Sequence, residues 1–207
     1  MAHQLSFIHK TGTEFGSVFD DLAALRIAVF RDFPYLYEGT IAHEKEYLQT
    51  YANSERSFLF AVYDGLKMVG ATTCIPLTDE TAEVQAPFLQ AGIPLDTVFY
   101  FGESILLPSY RGLGLGHRFF DEREAHVRHF GSYSMTCFCA VDRPIDHVLR
   151  PQNYQPLDTF WSKRGYSKRT DLQSDFEWLD IGTEQPSTKK MTYWVKLQSP
   201  NGATHPA

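Results

Sequence analysis

The sequence predicts an α/β domain with a mixed central sheet flanked by helices, and three observations carry this prediction. Two strand-like runs at residues 57–63 and 67–77 flank Asp64-Gly65, a two-residue hairpin signal that predicts antiparallel pairing. A buried strand, a glycine-rich turn and an amphipathic helix follow one another directly in residues 97–130. Another strand comes next at 134–141, and strands joined through a helix pair in parallel.

Composition places the chain among packed globular proteins of one domain. The 207 residues are 43% apolar and 14% aromatic, which excludes disorder and fibrous architectures. The domain is predicted to occupy residues 1–198, and residues 199–207 to form a polar tail. A formal net charge of −6 gives no basic field for phosphates, so the composition argues against nucleic-acid binding and suits a cationic or neutral substrate such as an amine.

The cysteines and the N-terminus predict a cytoplasmic protein. Cys74, Cys137 and Cys139 cannot all pair, and the last two share one face of a strand, so all three are expected to be reduced. The first ten residues lack an apolar signal core, and no run approaches the roughly 18 apolar residues needed to span a bilayer. No membrane partner is therefore expected.

The first elements predicted along the chain are a strand at 5–9 and two helices at 17–33 and 43–51. The first helix places its apolar side chains on one stripe: Leu22, Leu25, Val29 and Phe33. It is expected to end at Pro34, because proline disfavours helical backbone in the residue before it. The two helices and the aromatic turn between them are expected to wall a substrate site.

An acidic segment at residues 78–96 interrupts the predicted antiparallel strands, most simply as a short helix at 85–90 and a loop. A lid over a site and a surface insertion are equally good interpretations of this segment. Both interpretations place it outside the sheet.

The last predicted elements are a polar loop, a helix and two strands. The loop at 143–153 precedes a helix at 157–164, which Gly165 closes. Terminal strands are predicted at 176–181 and 191–197. No internal repeat and no second domain are indicated.

The turn at residues 111–116, R-G-L-G-L-G, carries the chemistry. Glycine lets the backbone approach a ligand closely, and N–H groups at a helix N-terminus point at an anion that the helix dipole also favours. Arg111 can add a charge-assisted contact, so a pyrophosphate is the expected ligand and no metal is required. A Walker loop is excluded because His117 and Arg118 follow the last glycine, and the dinucleotide fingerprint fails by one residue. A tight turn without a ligand is the remaining interpretation.

With its flanks, this turn resembles the motif of the Gcn5-related N-acetyltransferases, the GNAT superfamily. The motif R-x-x-G-x-G at 111–116 is preceded by E-S-I-L-L-P-S-Y at 103–110 and followed by an amphipathic helix. The resemblance extends more weakly to F-W-S-K-R-G-Y at 160–166, which is similar to the family's aromatic-rich helix ending in Gly and an aromatic residue. The specific motif covers about a fifth of the chain, and the order of helices and strands covers most of it.

The resemblance implies a GNAT-like mixed, mostly antiparallel sheet whose parallel strands 4 and 5 splay apart to admit acetyl-CoA. It implies that backbone groups of Ile105, Leu106 and Leu107 contact the pantetheine arm. It also implies a row of backbone amides that hold the pyrophosphate, those of Arg111, Gly112, Leu113, Gly114, Leu115, Gly116 and His117. The implied activity is transfer of an acetyl group to an amine.

The chain departs from the family pattern where a general acid is usually found. The family often has Asn and Tyr at the positions of Tyr154 and Trp161, and an indole is only a weak hydrogen-bond donor. Cys139 and Tyr154 are therefore the candidates for protonating the leaving thiolate, although a cysteine in an apolar strand is commonly part of a core.

Glu103 is the candidate general base. Strand alternation puts its side chain on the face of Phe101 and Ile105, where burial disfavours the charged carboxylate and so favours proton uptake. Family members often have Glu at this position, acting directly or through water. A buried acid paired with a basic neighbour is the alternative interpretation.

Two segments supply the candidate acceptor-binding residues. Asp142, Arg143 and His147 follow the carboxyl end of a strand, where open α/β sheets tend to place ligands, and a solvated loop held by salt bridges is an equal alternative. Tyr35 and Glu38 lie in the aromatic turn between the first two helices. Packing of that turn against the helices explains its rings nearly as well as a pocket does.

The sequence therefore predicts an acetyl-CoA-dependent N-acetyltransferase, monomeric or homodimeric, that moves an acetyl group to a primary amine of a small molecule by direct attack. Transfer to a protein N-terminus or lysine is the first alternative, and it would need an open groove rather than a closed pocket. The second is an acetyl-CoA-binding sensor or scaffold without turnover, which the missing Tyr at position 161 favours.

Overall fold

The computed structural model of the protein describes residues 4–198, which form eight β-strands and five α-helices. The strands are β1 (Leu5–Thr11), β2 (Phe58–Asp64), β3 (Lys67–Pro76), β4 (Val98–Tyr100), β5 (Ser104–Leu106), β6 (Met135–Val141), β7 (Ser167–Trp178) and β8 (Ser187–Leu197). The helices are α1 (Phe19–Phe30), α2 (Ile41–Asn53), α3 (Ala82–Gln90), α4 (Leu115–Phe130) and α5 (Asp158–Lys163). The predicted polar tail, 199–207, lies outside the described residues.

The strands form one sheet in the order β1-β2-β3-β4-β6-β8-β7, with β5 also paired to β3. The pairs are antiparallel except β4 and β6, which run parallel with Val98 opposite Met135. The predicted fold class, a mostly antiparallel sheet with one parallel pair and flanking helices, is confirmed. β4 and β5 together correspond to the predicted strand 4, and β6 corresponds to the predicted strand 5.

Each face of the sheet carries its own apolar core. Helices α1, α2 and α3 cover one face, where Leu22, Leu48 and Phe88 are fully buried. Helix α4 covers the other face with Phe119 and Phe120, and the side chains of α5 pack beside them. Full burial of such a side chain contributes about 1.5–3 kcal/mol, so both helix layers are firmly held against the sheet.

The predicted central strand at residues 97–107 is interrupted between β4 and β5. The backbone N–H of Gly102 donates to the carbonyl of Thr73, and a Cβ on Gly102 would overlap the hydroxyl of Tyr51. The side-chain alternation shifts at this irregularity. Phe101 packs in the core under α4, whereas Ile105 packs in the core under α1. The prediction that Glu103 shares a face with both residues is therefore wrong for Phe101, since Glu103 points toward α1 like Ile105.

Several element boundaries differ from the prediction, and the end of α1 and the start of β7 show why. Helix α1 ends at Phe30 because the backbone turns there, with the carbonyl of Asp32 accepting from the N–H groups of Tyr35 and Leu36. Strand β7 begins nine residues before the predicted start at residue 176, at Ser167. β7 lies at the edge of the sheet, and most of its residues are polar or exposed. Its sequence therefore lacks the apolar pattern by which a buried strand is predicted.

The segment at 78–96 is built into the domain. Its helix α3 buries Val84 and Phe88, and the hydroxyl of Tyr193 in β8 donates to the carbonyl of Val84 at 3.1 Å. The hydroxyl of Ser174 in β7 donates to the carbonyl of Glu83 at 2.6 Å. These contacts pack α3 against β7 and β8, away from the cleft described below. The segment at 78–96 is therefore neither a lid over the site nor a surface insertion.

Candidate active site

A cleft opens in the sheet where β5 turns away from β6. The N–H of Phe101 donates to the carbonyl of Cys137 at 2.7 Å, and this is the last bond of the parallel pair. Beyond it β5 pairs with β3 alone, while β6 continues beside β8. The resulting cavity has a volume of about 1430 Å³ and is bordered by β5, β6, the start of α4, the loop after β6 and α5.

The glycine-rich turn forms the mouth of this cleft. Gly112 and Gly114 have φ angles of 81° and 78°, which L side chains rarely adopt, and a Cβ at either position would meet nothing within 4 Å. Within residues 4–198, the N–H groups of Gly114, Leu115 and Gly116 have no hydrogen-bond acceptor. Because α4 begins at Leu115, the positive end of its dipole adds to these donors, and the turn is suited to bind an anion.

Strand β5 presents one free backbone edge to the cleft. The carbonyl of Glu103 accepts from Thr73 and the N–H of Leu107 donates to Val69, so alternate residues of the antiparallel pair are bonded to β3. By this alternation Ser104 and Leu106 direct their N–H and C=O groups away from β3 and toward the cleft. Of the three residues expected to contact pantetheine through the backbone, Leu106 is the one so placed.

Glu103 is buried on the α1 side of the cleft and is held in a network of charges. Its carboxylate accepts hydrogen bonds from Arg26 Nη1 and Thr73 Oγ1, and Arg26 Nε donates to the buried Glu44. The guanidinium of Arg26 lies 4.4 Å from the centre of the Tyr47 ring. Two carboxylates therefore share one guanidinium, and the three groups carry a formal net charge of −1.

Cys139, Tyr35 and Tyr154 also line the cleft. Cys139 Sγ lies 3.1 Å from the hydroxyl of Tyr100, and burial raises the pKa of Cys139 to about 12, so the thiol is protonated at neutral pH. Burial also raises the pKa of Tyr35, and the nearby Cys139 and Tyr154 add to this effect. Burial raises the pKa of Tyr154 too. All three groups are therefore protonated at neutral pH.

Arg143 is fully engaged within the protein. Its guanidinium donates to both carboxylate oxygens of Asp180 at 2.8 and 2.9 Å, and to the carbonyls of Pro34 and Tyr35 at 2.8 and 2.7 Å. Although burial raises the pKa of Asp180, these bonds and charges outweigh it and hold that pKa below its ordinary value. Arg143 lines the cleft, but its contacts indicate that it fixes the position of Tyr35.

The structure does not bring the other predicted acceptor residues together. Asp142 lines the cleft and pairs with Lys168 at 3.2 Å and with the hydroxyl of Thr192 at 2.5 Å. Glu38 pairs with the exposed Arg31 at 2.8 Å and does not border the cavity. His147 does not border it either, and its ring lies 5.8 Å from that of Phe33.

The ring of Trp161 packs 5.1 Å from Phe138 and 5.2 Å from Trp194, in the core under α4. This position gives the indole a packing role. On the loop after β6, the guanidinium of Arg150 lies 4.8 Å from the ring of Tyr154 and 5.7 Å from that of Phe33. These contacts join the loop after β6 to the α1–α2 turn at the border of the cleft.

Replacing Arg143 with Met is expected to lower the free energy of unfolding by about 2–4 kcal/mol, because the nearly buried Asp180 loses its main partner. Arg169→Met is the matched control, since Arg169 makes the same bidentate pair with Asp171 on the surface. Its loss is expected to stay below about 1 kcal/mol. Urea unfolding measures both, and equal losses would contradict the positioning role of Arg143.

Sequence reasoning missed three charged residues at this site: the buried Glu44 and Arg123, and Arg26, whose side chain is 12% exposed. Each occupies an apolar-stripe position of its helix. Arg26 lies four residues after Leu22, Glu44 four before Leu48, and Arg123 four before Val127. The sequence signal for these residues was a charged side chain four residues from an apolar one, at a helix position that faces the core.

No family model and no curated protein matches this chain by sequence. Solved structures do match it in fold. An acetyltransferase from Streptococcus agalactiae is 13% identical, covering 93% of this chain and 98% of its own, with a TM-score of 0.58. NAA60 of Arabidopsis thaliana, solved in complex with a bisubstrate analogue, is 12% identical, covering 94% and 100%, with a TM-score of 0.58. An acetyltransferase from Thermus thermophilus is 14% identical, covering 95% and 100%, with a TM-score of 0.55.

The splayed parallel pair, the glycine turn at the start of α4 and these structural neighbours define the fold class. The chain has the fold of the Gcn5-related N-acetyltransferases. Among residues 4–198, no helix is both long and apolar enough to cross a membrane. Within the same residues no group of His, Cys, Asp and Glu is arranged to hold a metal ion.

Proposed function

We propose that the protein is an acetyl-CoA-dependent N-acetyltransferase that transfers the acetyl group to a primary amine of a small molecule. One observation carries the proposal. A row of free N–H groups at the start of α4 lies at the mouth of a cleft whose wall is the free edge of β5. Such a cleft offers an anion site and an extended hydrogen-bonding edge, which match the pyrophosphate and the pantetheine arm of acetyl-CoA.

The residues at the turn fit the co-substrate. The open space over Gly112 and Gly114 would accept a phosphate beside the free amides of Gly114, Leu115 and Gly116. The predicted amides of Arg111 and His117 are not available to it, because they donate to the carbonyls of Pro108 and Gly114. Arg111 borders the cleft and makes no salt bridge within the described part of the chain, so its charge is available to a phosphate. The pantetheine arm would then lie along Ser104 and Leu106, with the thioester near Glu103.

In the proposed reaction the amine nitrogen attacks the thioester carbonyl carbon, the C–S bond breaks and the thiolate of CoA leaves. Glu103 takes the proton that the ammonium group loses, and its buried carboxylate at the border of the cleft supports this role. Cys139 and Tyr154 are the proposed donors of the proton that the thiolate takes up. Both border the cleft and both are protonated at neutral pH.

A small acceptor is favoured because the acceptor end of the cleft is narrowed. The rings of Phe33 and Tyr154 meet at 4.7 Å across it, joining the α1–α2 turn to the loop after β6. Asp32 borders the same end, and its carboxylate has no partner among residues 4–198, so it suits an ammonium group. Tyr35 and Asp142 are the proposed acceptor contacts.

The cytoplasmic location, the absence of a metal and the monomeric or homodimeric state stay predictions.

The test is release of free CoA thiol from acetyl-CoA in the presence of a panel of small amines. Amine-dependent release, with the acetylated amine identified by mass spectrometry, is expected. Release with peptides but with no small amine would favour transfer to a protein N-terminus or lysine. Binding of CoA without turnover on any acceptor would favour the sensor or scaffold.

A further inference from the structure

The carbonyl oxygen of Glu103 accepts three hydrogen bonds. The N–H of Thr73 donates to it at 3.1 Å, the hydroxyl of Thr72 at 2.7 Å and Nη1 of Arg123 at 3.2 Å. Most carbonyl oxygens accept one or two bonds. Three donors, one of them a cation, concentrate on the peptide group at which β5 leaves β6.

Arg123 reaches this carbonyl from inside α4. Its side chain is only 2% exposed, and its guanidinium lies 4.3 Å from the ring of Phe101 and 4.6 Å from that of Phe120. Burial lowers the pKa of Arg123 to about 10, so it is still a cation at neutral pH. It makes no salt bridge within residues 4–198, and its Nη2 has no hydrogen-bond partner there. A buried cation so poorly compensated is costly for stability alone.

The carbonyl of Glu103 and the N–H of Ser104 belong to one peptide group. Donors on the oxygen withdraw electron density from that group, and the N–H becomes a stronger hydrogen-bond donor, as in cooperative hydrogen-bond chains. The strand register directs the N–H of Ser104 away from β3 and into the cleft. The polarised N–H therefore faces the place proposed for the thioester.

We propose that Arg123 is a positioning residue that polarises the Glu103–Ser104 peptide so that the N–H of Ser104 stabilises the oxyanion of the acyl transfer. The inference rests on the proposed function. When the amine nitrogen bonds to the thioester carbon, the carbonyl electron pair moves to oxygen, and the Ser104 N–H donates to that oxygen. The pair returns as the C–S bond breaks and the thiolate leaves. Arg123 touches neither substrate and acts through the peptide.

The polarisation is testable without turnover, because Glu103 is the only glutamate of the chain that is followed by serine. A protein labelled with carbonyl-¹³C glutamate and ¹⁵N serine thus gives a single carbonyl–nitrogen NMR cross-peak, that of Glu103–Ser104. In Arg123→Lys and Arg123→Met this peak is expected to move upfield in ¹³C, since hydrogen bonds to a carbonyl shift its carbon downfield. An unmoved peak in folded variants overturns the inference.

The matched control is Arg164→Met. Arg164 lies in the same layer, 5.4 Å from the ring of Phe120, and pairs with Asp121 at 2.7 Å, but it makes no bond to the 103–104 peptide. This variant is expected to leave both the cross-peak and turnover unchanged. A loss of turnover equal to that of Arg123→Met would assign Arg123 to packing.

In turnover, Arg123→Lys and Arg123→Met are expected to lower kcat about tenfold with the KM for acetyl-CoA within about twofold, a smaller effect than deletion of a direct oxyanion donor. A raised KM at unchanged kcat overturns the inference. If the parent protein transfers no acetyl group, the proposed function fails, whereas the cross-peak still decides whether Arg123 polarises the peptide.

Discussion

A Glu103→Gln protein is expected to bind acetyl-CoA as tightly as the parent and to lose turnover by about 10²–10⁴-fold, the usual contribution of a general base. The amide keeps the shape of the side chain but takes up no proton. The loss is expected to be greatest at pH values at which the amine is mostly protonated, because the variant depends on free amine. Its rate should therefore rise with pH more steeply than that of the parent. Steady-state kinetics across pH measure this difference.

The matched control is Glu80→Gln. Glu80 is also buried, accepts from the hydroxyl of Tyr51 at 3.0 Å and does not border the cleft. Its replacement is expected to leave turnover near that of the parent. A Glu103→Gln protein with near-parent turnover and the same pH profile would assign Glu103 to structure, as one member of the ion cluster with Arg26 and Glu44.

The pairing of Arg26 with Glu103 confirms one of the two interpretations that the sequence left open, a buried acid paired with a basic neighbour. A carboxylate with one guanidinium of its own would be a poor base, because the cation stabilises the charged form. Glu44 also accepts a hydrogen bond from this guanidinium, so two carboxylates share one cation and the cluster has a formal net charge of −1. The ion pair is therefore observed, and the proposed base Glu103 acts from within this cluster.

Local patterns predicted the parts of the fold that local sequence controls. The hairpin of β2 and β3, the glycines before α4 and the αL glycine that ends α5 each follow from backbone requirements of a few residues. The hairpin turn is Gly65-Leu66, one residue later than the predicted Asp64-Gly65, because Asp64 pairs with Lys67. The break between β4 and β5 was missed because Tyr51 and Thr73, from distant elements, create it. Nothing in the apolar run at residues 97–107 identifies those neighbours.

The candidate site was likewise predictable only where residues adjacent in sequence define it. The glycine turn was predicted because its motif consists of consecutive residues. Arg143 was assigned to the acceptor because nothing near it in sequence points to Asp180, its partner in space. Arg123 was missed because its role depends on a carbonyl twenty residues earlier in the chain.

Gly114→Asn is expected to weaken CoA binding by about 100-fold or more, equivalent to about 2.8 kcal/mol. Asparagine tolerates the φ of 78° at this position better than other side chains do. The open space around Gly114 leaves room for the new side chain, which would occupy the proposed phosphate site. The fold is therefore expected to persist while the ligand is excluded.

Gly182→Asn is the matched control for this change. Gly182 has the same φ of 78° and the same open surroundings, but it lies in the turn between β7 and β8, outside the cleft. Its replacement carries a similar backbone cost without touching the phosphate site. CoA affinity is expected to be unchanged in this variant.

Calorimetric titration of CoA into the parent, Gly114→Asn and Gly182→Asn proteins tests the central claim, that the cleft binds acyl-CoA through the turn at the start of α4. The expected result is saturable binding to the parent and to Gly182→Asn, with a loss of about 100-fold in Gly114→Asn. No binding to the folded parent, or equal affinity in all three proteins, would contradict it.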